Sequence, residues 1–463
     1  MGEESERRVV PASEILAKIE RGEAVEYDDV IIEGDLDISE LNLPTEHVDR
    51  TEEEKQFGLS DELKVISSPI TITNSEIQGK VNFSNVKFQK PVDFGGAEFG
   101  RYAGFGGAEF TGDAYFREAE FGGNANFGEA EFGGYAYFGG AEFTGYAYFG
   151  GAEFTGDAYF REAEFGGNAN FGEAEFGGYA YFGGAEFTGD AYFREAKFTG
   201  DANFGEAEFG GDANFINVTF DNELILNNFK FGRLYITWDS IKDKLVYNGP
   251  VYLALIKNFK VIEQFSDADD CYYAYRKESQ DQKPWYSQKN CLIDNVVRFY
   301  NWISTNIKRI SKYFRWISDL PPITWIHRFT WSKLFDWIGL VSCGYGVKVW
   351  PIIIWGLGSV LGFALLYKIL PKSYGGFVES GPSTVTIEAL NNSTHILTLS
   401  PSDNIVSPSW GECLYFSFTA LTGGTPEGLH PAGLLRYAVM FENVLGYTFL
   451  ALFVVVLARK LIR

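Results

Sequence analysis

Cysteine and histidine are scarce, with four of each among 463 residues. Cys271, Cys291, Cys343 and Cys413 have neither the spacing of metal ligands nor the density of a secreted disulfide scaffold, so they read as free thiols. The histidines, at positions 47, 327, 395 and 430, are too dispersed for a metal centre or a catalytic triad. No phosphate-cradling loop, His-Glu-x-x-His pair or nucleophile elbow occurs. These absences argue against an enzyme, and no cofactor or metal is expected. The first residues, Met1 to Arg8, are polar and lack an apolar stretch, so no cleaved signal peptide is expected and the N-terminal part should stay in the cytoplasm.

What is abundant is glycine and phenylalanine, 52 and 42 residues, and charge is segregated along the chain. Pro91 to Phe220 holds 22 acidic and five basic side chains, a net of −17, whereas Arg276 to Lys348 holds 12 basic and five acidic, a net of +7. Two segments so different are built for different surroundings.

From Phe94 to Phe220 phenylalanine recurs at spacings that alternate five and six, a true period of eleven. Alanine stands two residues before almost every one, as in Ala97-Glu-Phe99 and Ala114-Tyr-Phe116. A larger block, Phe116 to Tyr159, is nearly repeated by Phe160 to Asn203. The phase extends upstream through Ile66, Ile72 and Ile77 and downstream through Leu226, Phe231 and Ile236. Such a period fits neither a lone amphipathic helix nor an alternating strand, so each unit must be one side of a coil, with Ala and Phe filling a narrow core and Gly permitting the bends.

This pattern resembles the pentapeptide-repeat family, Ala-(Asp/Asn)-(Leu/Phe)-x-x, over roughly residues 30 to 240, although Glu, Tyr or Asn often replaces Asp and every second unit carries one extra residue. The resemblance implies an all-β fold, a right-handed quadrilateral β-helix. Four units would make a coil of two elevens, and roughly eight coils at about 4.8 Å each would make a rod of about 40 Å. The outward carboxylates, Glu98, Glu109 and Glu120 among them, solvate the surface; the sharper alternative, an acidic mimic of DNA as in some members of that family, is opposed by membrane attachment. No nucleic-acid partner is expected. Residues 1–29 form an N-terminal capping segment, with a helix from Ser13 as N-cap to Gly22 as terminator, covering the first coil. Pro44 to Asp61 reads as an insertion loop.

Residues 241–345 read as a linker. Asp267 to Lys277 suggests a polar helix leaving the rod, and Leu292 to Ser318 combines Val296, Tyr300, Ile303 and Ile307 on one side with Arg298, Lys308, Arg309, Lys312 and Arg315. A helix of that kind either lies in a membrane interface against anionic lipid headgroups or packs on neighbouring subunits.

Residues 346–463 are the membrane part. Val349 to Tyr367 carries no charged residue, and the first spanning helix is placed at 349–369. The second is placed at 436–458, and from Tyr437 to Ala458 only Glu442 interrupts it. Lys348 and the terminal Arg459-Lys-Leu-Ile-Arg463 then lie on one side, which places both termini in the cytoplasm of a cell membrane. Between the spans, Trp410 to Leu421 is apolar but too short to cross, as a re-entrant pore helix would be.

Here the sequence is similar to the two-transmembrane pore module of the potassium-channel superfamily. Glu412-Cys-Leu-Tyr-Phe-Ser-Phe-Thr-Ala-Leu-Thr422 matches the pore-helix pattern, with Glu412 and Thr419 as its support. Leu429-His-Pro431 matches the segment after the filter, and Glu442-Asn-Val-Leu-Gly446 the inner helix with a hinge glycine at Gly446. The resemblance implies a homotetramer conducting inorganic cations. The filter segment, Thr422, Gly423, Gly424, Thr425, Pro426, Glu427 and Gly428, departs from the family: after Thr422, the six residues Gly423 to Gly428 stand where Thr-Val-Gly-Tyr-Gly-Asp is expected. Pro426 fixes φ and removes a donor, and the twin glycines loosen the loop. The expectation is a weakly selective cation pore with a ring of Glu427 carboxylates at its mouth, governed by an acidic β-helix that senses, scaffolds or binds a cytoplasmic protein. The alternative is a membrane-anchored scaffold whose pore-like domain does not conduct. Glu442 either bonds the pore helix or lines the conduit.

Overall fold

The computed structural model describes residues 7–50, 55, 58–281, 337–340, 342, 344–369, 377–379, 385–388, 396–399, 405–424 and 429–461. Two compact units result, residues 1–275 and 276–463. Helices are numbered α1 (Ala12–Arg21), α2 (Trp238–Ile241), α3 (Gly249–Val261), α4 (Phe265–Asp281), α5 (Trp350–Ile369), α6 (Trp410–Leu421) and α7 (Leu435–Leu461). The basic segment assigned to an interfacial helix, Leu292 to Ser318, lies outside the described residues, as do Cys291 and Cys343.

The first unit is a parallel β-solenoid. Each coil lays down four short strands, and each strand pairs with the one 22 residues on: Phe99 with Phe121, Ala103 with Ala125, Phe110 with Phe132 and Ala114 with Ala136. Two elevens therefore make one turn. The turns number about ten rather than eight, because the chain pairs before the phenylalanine run begins, Arg8–Pro11 lying along Val30–Glu33.

Stacking identical units puts identical side chains on top of one another. Inside, Phe99, Phe121, Phe143 and Phe165 form a column with centroids 4.7, 4.7 and 4.9 Å apart and ring planes within 1°. Rings of adjoining columns meet edge to face, as Phe116 does Phe127 at 5.3 Å, the geometry the ring quadrupole favours. The alanines between them are buried.

Two kinds of corner alternate. One is a tight turn such as Phe94 to Ala97, closed by Ala97 N–H donating to Phe94 O at 3.1 Å, with Gly96 at φ 63° as a type II turn demands. The same place in other coils is held by Glu118, Glu129, Glu162, Glu173, Glu195 and Glu206, all at positive φ, so glycine is not what makes this bend. The other corner uses the extra residue. There successive backbones touch, and a Cβ on Gly167 would sit 2.3 Å from Gly145 O. Glycine at that corner serves close approach.

Both ends are covered. At the start, α1 buries Ala12, Ile15 and Ile19 over the first coil and ends on Gly22 at φ 68°. Its beginning departs from expectation: Pro11 occupies the N-cap position with no side-chain cap, and Ser13 lies in the first turn. The chain arrives as a paired strand, so Pro11, already extended at ψ 135°, makes the junction. After the first coil the pairing step is 45 rather than 22 (Ile31 with Glu76), and the looped-out chain contributes Thr45–His47, antiparallel to Glu62–Ile66. At the far end Asn258 on α3 pairs reciprocally with the last coil, donating to Leu234 O at 2.7 Å and accepting from Leu234 N–H at 3.1 Å. The exposed sheet edge is thereby closed by a side chain that mimics a strand. Helix α4 does not simply leave the rod, because its Ala268 and Cys271 are buried in the solenoid core.

Candidate functional site

In the second unit α5 and α7 are long and apolar enough to cross a membrane, with mean hydropathy 1.9 and 2.0 over their best windows. They run antiparallel: Tyr367 near the end of α5 meets Glu442 near the start of α7, and Ile352 meets Val456 at the other end.

Helix α6 enters between them. It starts with a reciprocal cap, Ser409 Oγ accepting from Glu412 N–H at 3.3 Å and the Glu412 carboxylate accepting from Ser409 N–H at 2.6 Å. Lys368 Nζ donates to Pro408 O at 2.8 Å, which ties this start to the end of α5. From there α6 descends. Ser417 reaches Val360 O at 3.0 Å, two turns back along α5, and a Cβ on Gly446 would lie 1.7 Å from Leu421 O. Gly446 is thus where α7 lies flush against the last carbonyl of α6, a close-approach role.

The descent stops in an ordered cap. Gly424 N–H donates to Thr419 O at 2.7 Å and Gly423 N–H to Ala420 O at 3.0 Å, with Gly423 at φ 83°. This is the Schellman arrangement, in which a left-handed residue lets two N–H groups satisfy the last helical carbonyls. Sequence reasoning treated the twin glycines as loosening the loop; here they lock the helix end. Thr422 Oγ1 and Thr419 Oγ1 bond back into their own helix, the former to Phe418 O at 3.1 Å and the latter to Phe416 O at 2.9 Å. Thr425, Pro426, Glu427 and Gly428 lie outside the described residues. Beyond them Leu429–Pro431 pairs antiparallel with Phe377–Glu379, and that same strand pairs with Ile405–Val406 just ahead of α6. Entry and exit of the α6 loop are therefore pinned to the two edges of one strand.

Behind α6 lies Glu442, completely buried. Tyr367 donates its hydroxyl hydrogen to one carboxyl oxygen, and Ser417 touches the other. Ser417 also lies 3.0 Å from Val360 O. A hydroxyl has one hydrogen and a backbone carbonyl can only accept. The single Ser417 hydrogen is therefore shared between Val360 O and the Glu442 carboxyl, and that carboxyl joins all three helices. The aromatic trio Tyr367, Phe377 and Phe416, at centroid distances of 4.5–5.7 Å, closes over it. Tyr367 and Ser417 were not singled out from the sequence. The available signal was Ser417 at helical spacing from Cys413 and Ala420, a row of small residues on the buried face of α6.

Among the described residues no cluster of His, Cys, Asp and Glu could hold a metal ion. Buried free thiols are Cys271 and Cys413. The comparisons with known proteins bear on the other unit. Six overlapping segments that together run from residue 72 to residue 228 match the family model described as Pentapeptide repeats (9 copies). No curated protein and no solved structure matches the chain.

Proposed function

We propose that the chain is a membrane protein whose C-terminal unit forms, as a tetramer, a weakly selective cation pore, and whose pentapeptide-repeat solenoid is a cytoplasmic sensing or scaffolding domain. The observation that carries this reading is α6: a short, capped, apolar helix inserted between two membrane-length helices, its entry and exit strands paired to one common strand. Non-helical backbone at membrane depth is tolerated only where protein or water surrounds it. The outward faces fit such an assembly. Leu357, Leu361, Phe418, Phe441 and Val444 are each about 60% exposed, a surface that lipid or further copies must cover. Anionic headgroups would meet the basic segment, and Glu427 would supply the ring of charge that favours cations.

A second reading, a membrane-anchored scaffold that does not conduct, is favoured by the cap at Gly423 and Gly424, which spends on a helix end two positions that an extended filter would use. Recording from purified protein in planar bilayers separates the two. Cation current that changes its permeability ratios in Glu427→Gln supports the pore; absence of current from a protein shown to be inserted supports the scaffold.

A further inference from the structure

One face of the solenoid carries a column of tyrosines in register: Tyr115, Tyr137, Tyr159 and Tyr181 pair coil to coil. Their rings stack at 4.9, 5.0 and 4.9 Å with planes within 11°. The next two positions of the column are Asn203 and Ile225. Asn203 is far shorter than tyrosine, so one rung is missing between the free face of Tyr181 and the side chain of Ile225. The result is a cavity of about 420 Å³ lined by Arg161, Tyr181, Asn203, Ile225 and Asn227.

A neighbouring column shows why this gap stays open. There tyrosine and asparagine alternate, as in Asn126, Tyr148 and Asn170, and Tyr148 leans over the corner of the coil before it, where a Cβ on Gly128 would lie 2.2 Å from its ring. The space left beside Asn126 is only about 110 Å³. Tyr181 is stacked on Tyr159 and stands upright.

We propose that the rung missing at Asn203 is a binding slot for one neutral, planar heteroaromatic ring with a hydrogen-bond acceptor on its edge, of the nucleobase class. The walls are two coils apart, about 9.6 Å at about 4.8 Å per coil. A ring at the vacant level lies about 4.8 Å from each wall, the interval at which the tyrosines themselves stack. At the floor Asn203 Oδ1 accepts from Gly205 N–H at 2.8 Å, which turns its NH₂ into the donor offered to the ring edge. At the rim the Arg161 guanidinium is already paired with Glu162 at 3.0 Å, and Glu206 adds a further carboxylate. That balance disfavours phosphate, so a nucleoside is preferred over its nucleotide.

The test is equilibrium dialysis of full-length protein in detergent against adenosine and adenosine monophosphate. Saturable adenosine binding is expected with a Kd between about 10 µM and 1 mM, weaker for the monophosphate. Asn203→Tyr restores the rung with a residue that four coils already accommodate and should weaken binding at least tenfold, whereas Asn170→Tyr, in the other column, should leave it unchanged. Should N203Y not fold, Tyr181→Ala removes one wall and should lose about tenfold. No saturable binding by the native chain, equal binding by the filled or wall-less variant, or tighter binding of the monophosphate overturns the proposal.

Discussion

The two corners of the solenoid predict opposite outcomes for one kind of substitution. At Gly167 an added Cβ would lie 2.3 Å from Gly145 O and 2.7 Å from Gly145 C. Those atoms are backbone of the coil before and have no rotamer to change. Making room means prising two coils apart where Gly166 N–H donates to Phe143 O at 2.8 Å and Ala147 N–H to Asn168 O at 3.0 Å. Losing both bonds at about 1 kcal/mol each, and loosening the Phe143–Phe165 stack beside them, puts Gly167→Ala at about 2–4 kcal/mol destabilising. At Gly139 the added Cβ would sit 3.5 Å from Arg161 O, ordinary contact. Equivalent turn positions are occupied by Arg117 and Arg161 without a clash. Gly139→Ala should therefore stabilise by about 0.4–1 kcal/mol, by narrowing the unfolded ensemble. Denaturant unfolding of the full chain in detergent, followed by near-ultraviolet circular dichroism of the tyrosine columns, measures both. Effects of the same sign would refute the assignment of the two glycines to different jobs.

In the helical unit, Glu442→Gln should keep near-native thermal stability in detergent, because a carboxamide can donate to Ser417 and accept from Tyr367, while Glu442→Ala should lose about 2–4 kcal/mol. Equal damage from both would refute a hydrogen-bonding role that a carboxamide can fill. The pH dependence of the solenoid follows from its stacked columns. Burial, and then the hydrogen bond to Asp157, pushes Tyr159 up to about 12, so the unfolded chain loses this proton near 10 while the folded chain keeps it. The contribution of Tyr159 is intact below pH 10 and lost between 10 and about 12. At the acid end, burial and the stacked Glu98 and Glu142 hold Glu120 above its ordinary value of 4.5. Its contribution is full below that pH and fades as pH rises through the raised value. Asp28, held below 3.8 by hydrogen bonds from Asn74 and Thr73, acts with the opposite sign at lower pH. Melting temperatures should thus fall steeply above pH 10; equal values at pH 8 and pH 11 would refute the tyrosine part.

The solenoid was legible in the sequence because its period is a direct copy of its geometry: a residue every eleven positions is a residue at every second corner. Its turn count was short because the first coils use Val, Ile and Leu in place of phenylalanine, and because a looped-out strand interrupts the phase. The bounds of α6 could be read from composition, since a helix too short to cross and apolar apart from Glu412, Ser417 and Thr419 has few alternatives. What could not be read were the long-range groups. Tyr367, Ser417 and Glu442 come from three helices, and only folding brings one hydroxyl to each carboxyl oxygen. Nor does a pair of glycines announce whether it loosens a loop or locks a helix end; that depends on which carbonyls lie within reach of its two N–H groups.

The near-identical blocks Phe116–Tyr159 and Phe160–Asn203 each hold 44 residues, which is two full coils. Loss or gain of such a cassette leaves every face, both corner types and both end covers in the register they already have. Unequal recombination within the gene would therefore lengthen or shorten the solenoid by about 9.6 Å at a time without an unfolded intermediate product, so that its length can be reset by copying errors while its surface chemistry is inherited unchanged.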